Sequence, residues 1–324
     1  MKVTIAEDVV SNPDYWRFLD RIINKIADEW HVWQIDDTEV IEASGWLERT
    51  GCEWLQELFN KAAMAADLNA HADFPKQKII VSTKPLTDAL PPRQAADYVS
   101  TPLVILMENR FTDGLFINSV LDFLAPEAIN EQRQNAPGFI YYDSSGGIGE
   151  LPKLITDYVQ QRKSKGIPFR GVVFTDSDAK IPGEIHKNAR LVQETCETED
   201  VPCLILSKCT IENYIPDEVL EAWIPSTPHY EKRCILEAVK RLKPAQRDHY
   251  PMKKGLNLSG ASASVHKLYE NISEADRIEL AKGFGKEVIE KLNNFNNVIT
   301  AKALRQRDGQ GELDYLVELI LSEL

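Results

Sequence analysis

The sequence predicts an α/β fold: a parallel sheet flanked by helices, preceded by an N-terminal α/β region and followed by a helical C-terminal region. Three observations carry this. Between residues 101 and 215, short runs that are apolar throughout alternate with longer amphipathic stretches, as expected for strands buried on both faces and joined by crossover helices. Residues 1 to 100 contain shorter β-like runs between helix-like segments, and from residue 216 onward the chain reads as helical.

In the first region, "NPDYWRFLDRIINKIADEW" reads as a helix. Pro13 suits its first turn, and Trp16, Leu19, Ile22, Ile23 and Ile26 recur at helical spacing. "HVWQI" and "KIIVS" read as strands, with the helix-like "GWLERTGCEWLQELFNKAAMAA" between them and core positions expected for the tryptophans. The adjacent prolines of "TDALPPRQ" (87–94) read as a linker.

The middle region gives strands at "PLVILM", "GFIYYD", "GVVFTD" and "PCLILS". Helices are expected at "DGLFINSVLDFLA", "ELPKLITDYVQQRKSKG" and "GEIHKNARLVQETCETED". Right-handed crossovers follow from the parallel pairing. In the tail, "PDEVLEAW", "SEADRIELAKGFGKEVIEKL" with Ser273 at its N-cap, and "GELDYLVELILSEL" read as helices, and "LSGASAS" as a flexible loop.

Composition bounds the function. The chain has 324 residues, enough for a large core, and a net charge of -13, which argues against a generally basic nucleic-acid binder. The local exception is residues 231–254, with eight Lys or Arg against three Asp or Glu. Such a run is commonly a solvated helix face, and gains meaning only beside a site that handles phosphates. Five cysteines without a CxxC pair or zinc spacing indicate buried thiols in a reducing compartment. The absence of an apolar span and of a secretory h-region implies a cytoplasmic protein with no membrane partner.

The chemistry concentrates at strand ends, where open parallel sheets bind ligands. The first strand of the middle region ends at Glu108. The second ends at Asp143 and leads into "SSGGIGE", where Gly146 and Gly147 permit a tight turn. The third ends in Asp176 and Asp178, and the fourth leads to Lys208 and Glu212 in "SKCTIENY". Alternation along an extended chain puts Asp176 and Asp178 on one side with Ser177 opposite. Two carboxylates so close repel unless a cation lies between them, and Mg2+ or Mn2+ fits an all-oxygen set. A lone DxD is more often a turn or capping device and a Gly-Gly pair an ordinary turn; their combination with Glu108 points to a metal site.

These residues resemble the TOPRIM domain, a Rossmann-like catalytic fold of topoisomerases, bacterial primases and several nucleases. Its pattern is a Glu after the first strand, a glycine turn after the second and DxD after the third: here Glu108, Gly146 with Gly147, and Asp176 with Asp178. The resemblance covers about residues 101–215. "GGIGEL" and "TIENYI" are most similar to the OLD-family nucleases and the small TOPRIM nuclease subunits of bacterial anti-phage systems such as PARIS. The chain departs in reading "MENRF" where the family often has Glu-Gly, and Asp113 meets the family's next acidic position only with a loop one residue longer. Residues 1–100 match no family by inspection.

The resemblance implies a toxic, metal-dependent endonuclease of antiviral defence. Glu108 would act as general acid/base, and Glu108, Asp176, Asp178 and Glu212 would hold Mg2+ or Mn2+ for phosphodiester hydrolysis. Lys208 is the first candidate to support developing charge, and Lys253, Lys254 and Arg247 are candidates for nucleic-acid contact. OLD-like enzymes carry an ATPase domain, and no GxxxxGK[ST] occurs here, so any ATPase is expected as a separate subunit. A homodimer is expected by analogy. Two alternatives stand beside this: a non-catalytic TOPRIM interaction or sensor subunit, and a Mg2+-dependent enzyme on small phosphates.

Overall fold

A computed structural model describes residues 1–49, 53–68, 77–136, 138–224 and 230–324. The chain is α/β, with two parallel four-stranded sheets flanked by helices. The first sheet contains β1 (Lys2–Ile5), β2 (Val32–Gln34), β3 (Lys78–Val81) and β4 (Ala89–Leu90), in the order β2-β1-β3-β4. The second contains β5 (Leu103–Met107), β6 (Ile140–Ser144), β7 (Gly171–Thr175) and β8 (Cys203–Ile205), in the order β6-β5-β7-β8.

Both sheets thus have the 2-1-3-4 order of a doubly wound fold. The chain steps from its first strand to one side, then returns to pair on the other. In such a sheet the crevice for ligands opens where the winding reverses, at the carboxyl ends of the first and third strands. In the second sheet these are β5 and β7, whose residues are all buried, so the sequence segments that follow them are delivered to the crevice by rigid central strands.

The apolar runs of β5 and β7 explain the layers around this sheet. One face of each strand packs against helices Leu151–Lys163 and Lys187–Glu199, burying Val104, Leu106 and Val173 with Ile155 and Val192. The other face joins helix Thr112–Leu124 and the C-terminal helices in one continuous core. Residues 216–324 are therefore the cover of the second sheet's other face, sharing its core. Phe116 stacks on Phe174 at 5.9 Å and contacts Tyr214 at the same separation, forming an aromatic floor below the crevice. Burial of each such ring stabilises by roughly 1.5–3 kcal/mol.

Several expectations are corrected. Residues 87–94 are no linker: β4 lies within them, and Pro92 begins helix Pro92–Val99, where its missing N–H is harmless. In the segment 45–66, residues 45–49 are not helical, residues 50–52 lie outside the described set, and the helix Glu53–Leu68 covers the rest. Trp33 and Trp46 are core, but Trp54 is exposed. The basic stretch is two helices, Tyr230–Lys240 and Pro244–Asp248, followed by a turn. Ser273 does cap Glu274–Leu280, but that helix stops before Gly283 and Gly285, which have φ of 69° and 91°. Within "LSGASAS", Ser262 caps helix Ala263–Leu268. Among the described residues no helix is long and apolar enough to cross a membrane.

Candidate active site

Four chain segments meet at the crevice, and each is fixed by its own hydrogen bonds. Glu108 follows β5 directly. Beyond it Asn109 and Asp113 lock the turn into the next helix: Asn109 N–H donates to Asp113 Oδ2 and Asp113 N–H to Asn109 O, both at 2.9 Å. After β6, Gly146 adopts φ 75° and donates its N–H to Glu108 O at 3.1 Å. A residue with a Cβ would be strained there. Gly147 has a Cβ direction free of neighbours within 4 Å, so the turn offers open backbone.

The segment after β7 departs from simple alternation. The strand ends at Thr175, and Asp178 lies in the left-handed region at φ 50°, which Asp tolerates better than most residues. Asp176 is half-buried, Ser177 is buried, and Asp178 is exposed. Ser177 Oγ donates to Lys208 O at 2.7 Å, Asp178 N–H to Cys209 O at 3.0 Å, and Ile211 N–H to Asp176 Oδ1 at 2.9 Å. The two loops are therefore laced together.

The "TIENY" motif has a structural explanation in which one side chain stands apart. Thr210 and Asn213 form a reciprocal cap on the short helix Ile211–Tyr214. Asn213 Nδ2 also donates to Arg247 O and Tyr250 O at 2.9 Å each, and Tyr214 OH donates to Glu312. Glu212 is 0% exposed, yet neither of its carboxylate oxygens has a hydrogen-bond partner of good geometry among the described residues. Its cationic neighbour is Lys253, with Nζ 2.9 Å from Oε1. At the equivalent crevice of the first sheet, by contrast, the Asp8 carboxylate is fully engaged by Ser82 and Thr83. Glu212 Oε2 is thus a buried carboxylate oxygen without a hydrogen-bond partner among the described residues, which is rare.

The electrostatics join these groups into one cluster. Burial raises the Asp176 carboxyl well above its ordinary value, with Glu212, Asp113 and Asp178 adding to the rise and Lys253 opposing it. Burial also raises Glu108, reinforced by Asp113 and Asp178 and countered by Lys253 and the Ile148 N–H. Asp113 is raised by burial, against hydrogen bonds from Asn109 and Thr112. Burial pulls the Lys253 ammonium down, but Glu212, Asp176 and Asp113 outweigh it and leave it raised.

Glu108, Asp113, Asp176, Asp178, Glu212 and Lys253 are thus brought together, with the Gly146 turn beside them. Asp113 belongs to the cluster although its spacing does not match the family pattern. Lys208 does not join it. It is 2% exposed, and its Nζ is spent on Asp248 at 2.9 Å and Arg307 O at 2.6 Å. Arg247 pairs with Asp217, and Asp143 is held by Tyr158 OH at 2.7 Å. Lys254 is exposed beside Lys253. Lys232, Lys240 and Arg241 of the basic stretch are paired with Glu287, Glu221 and Asp276, so most of that stretch neutralises its own surroundings.

An all-carboxylate donor set fits a hard divalent cation in kind. As placed, the carboxylates surround an ammonium: among the described residues no three His, Cys, Asp or Glu side chains stand close enough together to hold a metal ion. No protein-family model matches the chain, and neither a curated protein nor a solved structure similar to it is found.

Proposed function

We propose that this chain is a TOPRIM-type, Mg2+- or Mn2+-dependent nuclease that hydrolyses phosphodiester bonds of DNA or RNA, similar to the small nuclease subunits of anti-phage defence. The observation that carries the reading is Glu212: a wholly buried carboxylate whose Oε1 meets the Lys253 ammonium and whose Oε2 has no hydrogen-bond partner among the described residues, beside Asp176 at the winding reversal of a parallel sheet. Glu108, Asp176, Asp178 and Glu212 would hold the cation, with Asp113 added from the geometry.

A bound divalent cation would neutralise the phosphodiester and activate water. The chain's own residues do the rest. Glu108, raised by burial and neighbouring carboxylates, is placed to carry a proton to or from the reacting oxygens. The Gly146 turn leaves backbone open to a phosphate. Lys253, and not Lys208, is the cation at the site; with a cation held by the carboxylates, its ammonium would face the substrate phosphate. Lys254 extends that charge outward.

One observation favours a second reading. The Lys253–Glu212 ion pair already compensates the cluster in part, as it would in a non-catalytic TOPRIM subunit whose lysine is a permanent counter-ion. Metal titration by calorimetry separates the two. Mn2+ binding that disappears in Asp176→Asn supports the nuclease, and absence of binding to folded protein supports the interaction subunit.

A further inference from the structure

We infer that Phe111 and Arg110 form a stacking step for an unpaired nucleobase at the mouth of the carboxylate cluster, so that the strand addressed is single-stranded or locally opened. This rests on the nuclease reading above and names its substrate class. Phe111 is 70% exposed, a large apolar ring presented to solvent three residues from Glu108 and two from Asp113. The Arg110 guanidinium lies 5.0 Å from the ring centroid, so a cation and an aromatic face share the loop that runs from Glu108 to Asp113.

The loop is rigid. Phe111 N–H donates to Asn109 Oδ1 at 3.0 Å, and Asn109 and Asp113 exchange the two 2.9 Å hydrogen bonds that close the turn. The backbone that carries the ring is therefore set in advance, and less entropy is lost when a flat partner covers it. No packing in the fold accounts for it: Phe116, five residues on, is the residue that enters the core. A nucleobase supplies the missing flat apolar partner, and Arg110 draws the adjoining phosphate. In an intact duplex both faces of each base are already covered by neighbours, so only an unpaired or extruded base can use the step.

The test compares wild type, Phe111→Ala and Phe111→Trp in EDTA, where cleavage does not enter, using fluorescein-labelled oligothymidylate, oligouridylate and a DNA duplex. Phe111→Ala is expected to weaken single-strand binding by roughly five- to a hundredfold, to leave duplex binding unchanged and, being exposed, to keep the wild-type melting temperature. Phe111→Trp is expected to retain single-strand affinity and to lose indole fluorescence as oligothymidylate is added. Equal loss for single strand and duplex, or no loss for either, overturns the inference, as does an effect of Phe111→Ala confined to self-association. A wild type that cuts DNA or RNA with Mn2+ while Phe111→Ala binds oligothymidylate normally defeats the stacking step alone. A wild type that neither binds nor cuts defeats the nuclease reading with it.

Discussion

Lys253 places its ammonium 2.9 Å from Glu212 Oε1, making a lysine from the C-terminal region the counter-ion of a carboxylate buried beneath the sheet's ligand edge. The pair links two segments, 41 positions apart in sequence, that meet only in the folded chain. Removing the lysine leaves an uncompensated buried charge. Lys253→Met is therefore expected to destabilise the metal-free protein by about 3 kcal/mol, and Mn2+ is expected to restore part of the loss. Thermal melts in EDTA and in Mn2+ check this; equal melting temperatures of variant and wild type in EDTA would contradict it.

Glu212→Gln removes the buried charge while keeping the shape. Because Glu212 Oε2 has no hydrogen-bond partner and Asp176 and Asp113 still compensate Lys253, the folded metal-free protein is expected to become more stable, while metal-dependent cleavage is lost. Opposite movement of stability and activity is the signature of a site strained for function. A loss of both together would assign Glu212 a purely structural part.

Gly255 and Gly283 hold the lysine turn in place. Both have positive φ, and a Cβ on Gly283 would lie 2.5 Å from Gly255 N. The Lys253 carbonyl is bonded from Gly285 N–H at 3.1 Å across the same contact. Gly283→Ala is expected to cost roughly 1–3 kcal/mol and to lower the rate of cleavage by displacing Lys253. Chemical denaturation and activity measured on the same preparation test the linkage.

Asp248 sets an acid limit on stability. Burial raises its carboxyl, but hydrogen bonding from Lys208 and the charges of Arg307 and Lys208 outweigh this and leave it below the usual aspartate value. A lowered folded-state value means the stabilisation is fully present above the unfolded aspartate value near pH 4 and is lost as pH falls through the folded one. Asp248→Asn is expected to lower stability at pH 7 and to flatten its decline in acid. An unchanged acid limb in denaturation curves would contradict the assignment.

Much of this was legible in the sequence. The unbroken apolar runs of β5 and β7 declared buried parallel strands, and the acids after them fell at the edge where such strands deliver ligands. The shorter elements were not. β1 has four residues and β4 only two, too few for a period to register, and the prolines beside β4 look the same in a linker as at a helix start. Spacing placed Lys208 four residues from Glu212 but could not show that its side chain runs to Asp248 and Arg307. Lys253 carried the right residue type in a turn whose return to the cluster depends on a glycine contact with residue 283. The strand ends one residue before Asp176, so the grouping of Asp176 and Asp178 with Ser177 turned away rests on loop hydrogen bonds and not on strand alternation.

Cleavage itself decides whether the cluster around Asp176 serves a cation in phosphodiester hydrolysis, as proposed. Purified protein is incubated with single- and double-stranded DNA and RNA in Mg2+, in Mn2+ and in EDTA, alongside folded Asp176→Asn and Glu108→Gln variants. The account predicts cutting of at least one substrate that needs metal and is absent in both variants. Cutting that persists in folded Asp176→Asn protein, or no cutting of any substrate by the wild type with either metal, contradicts it.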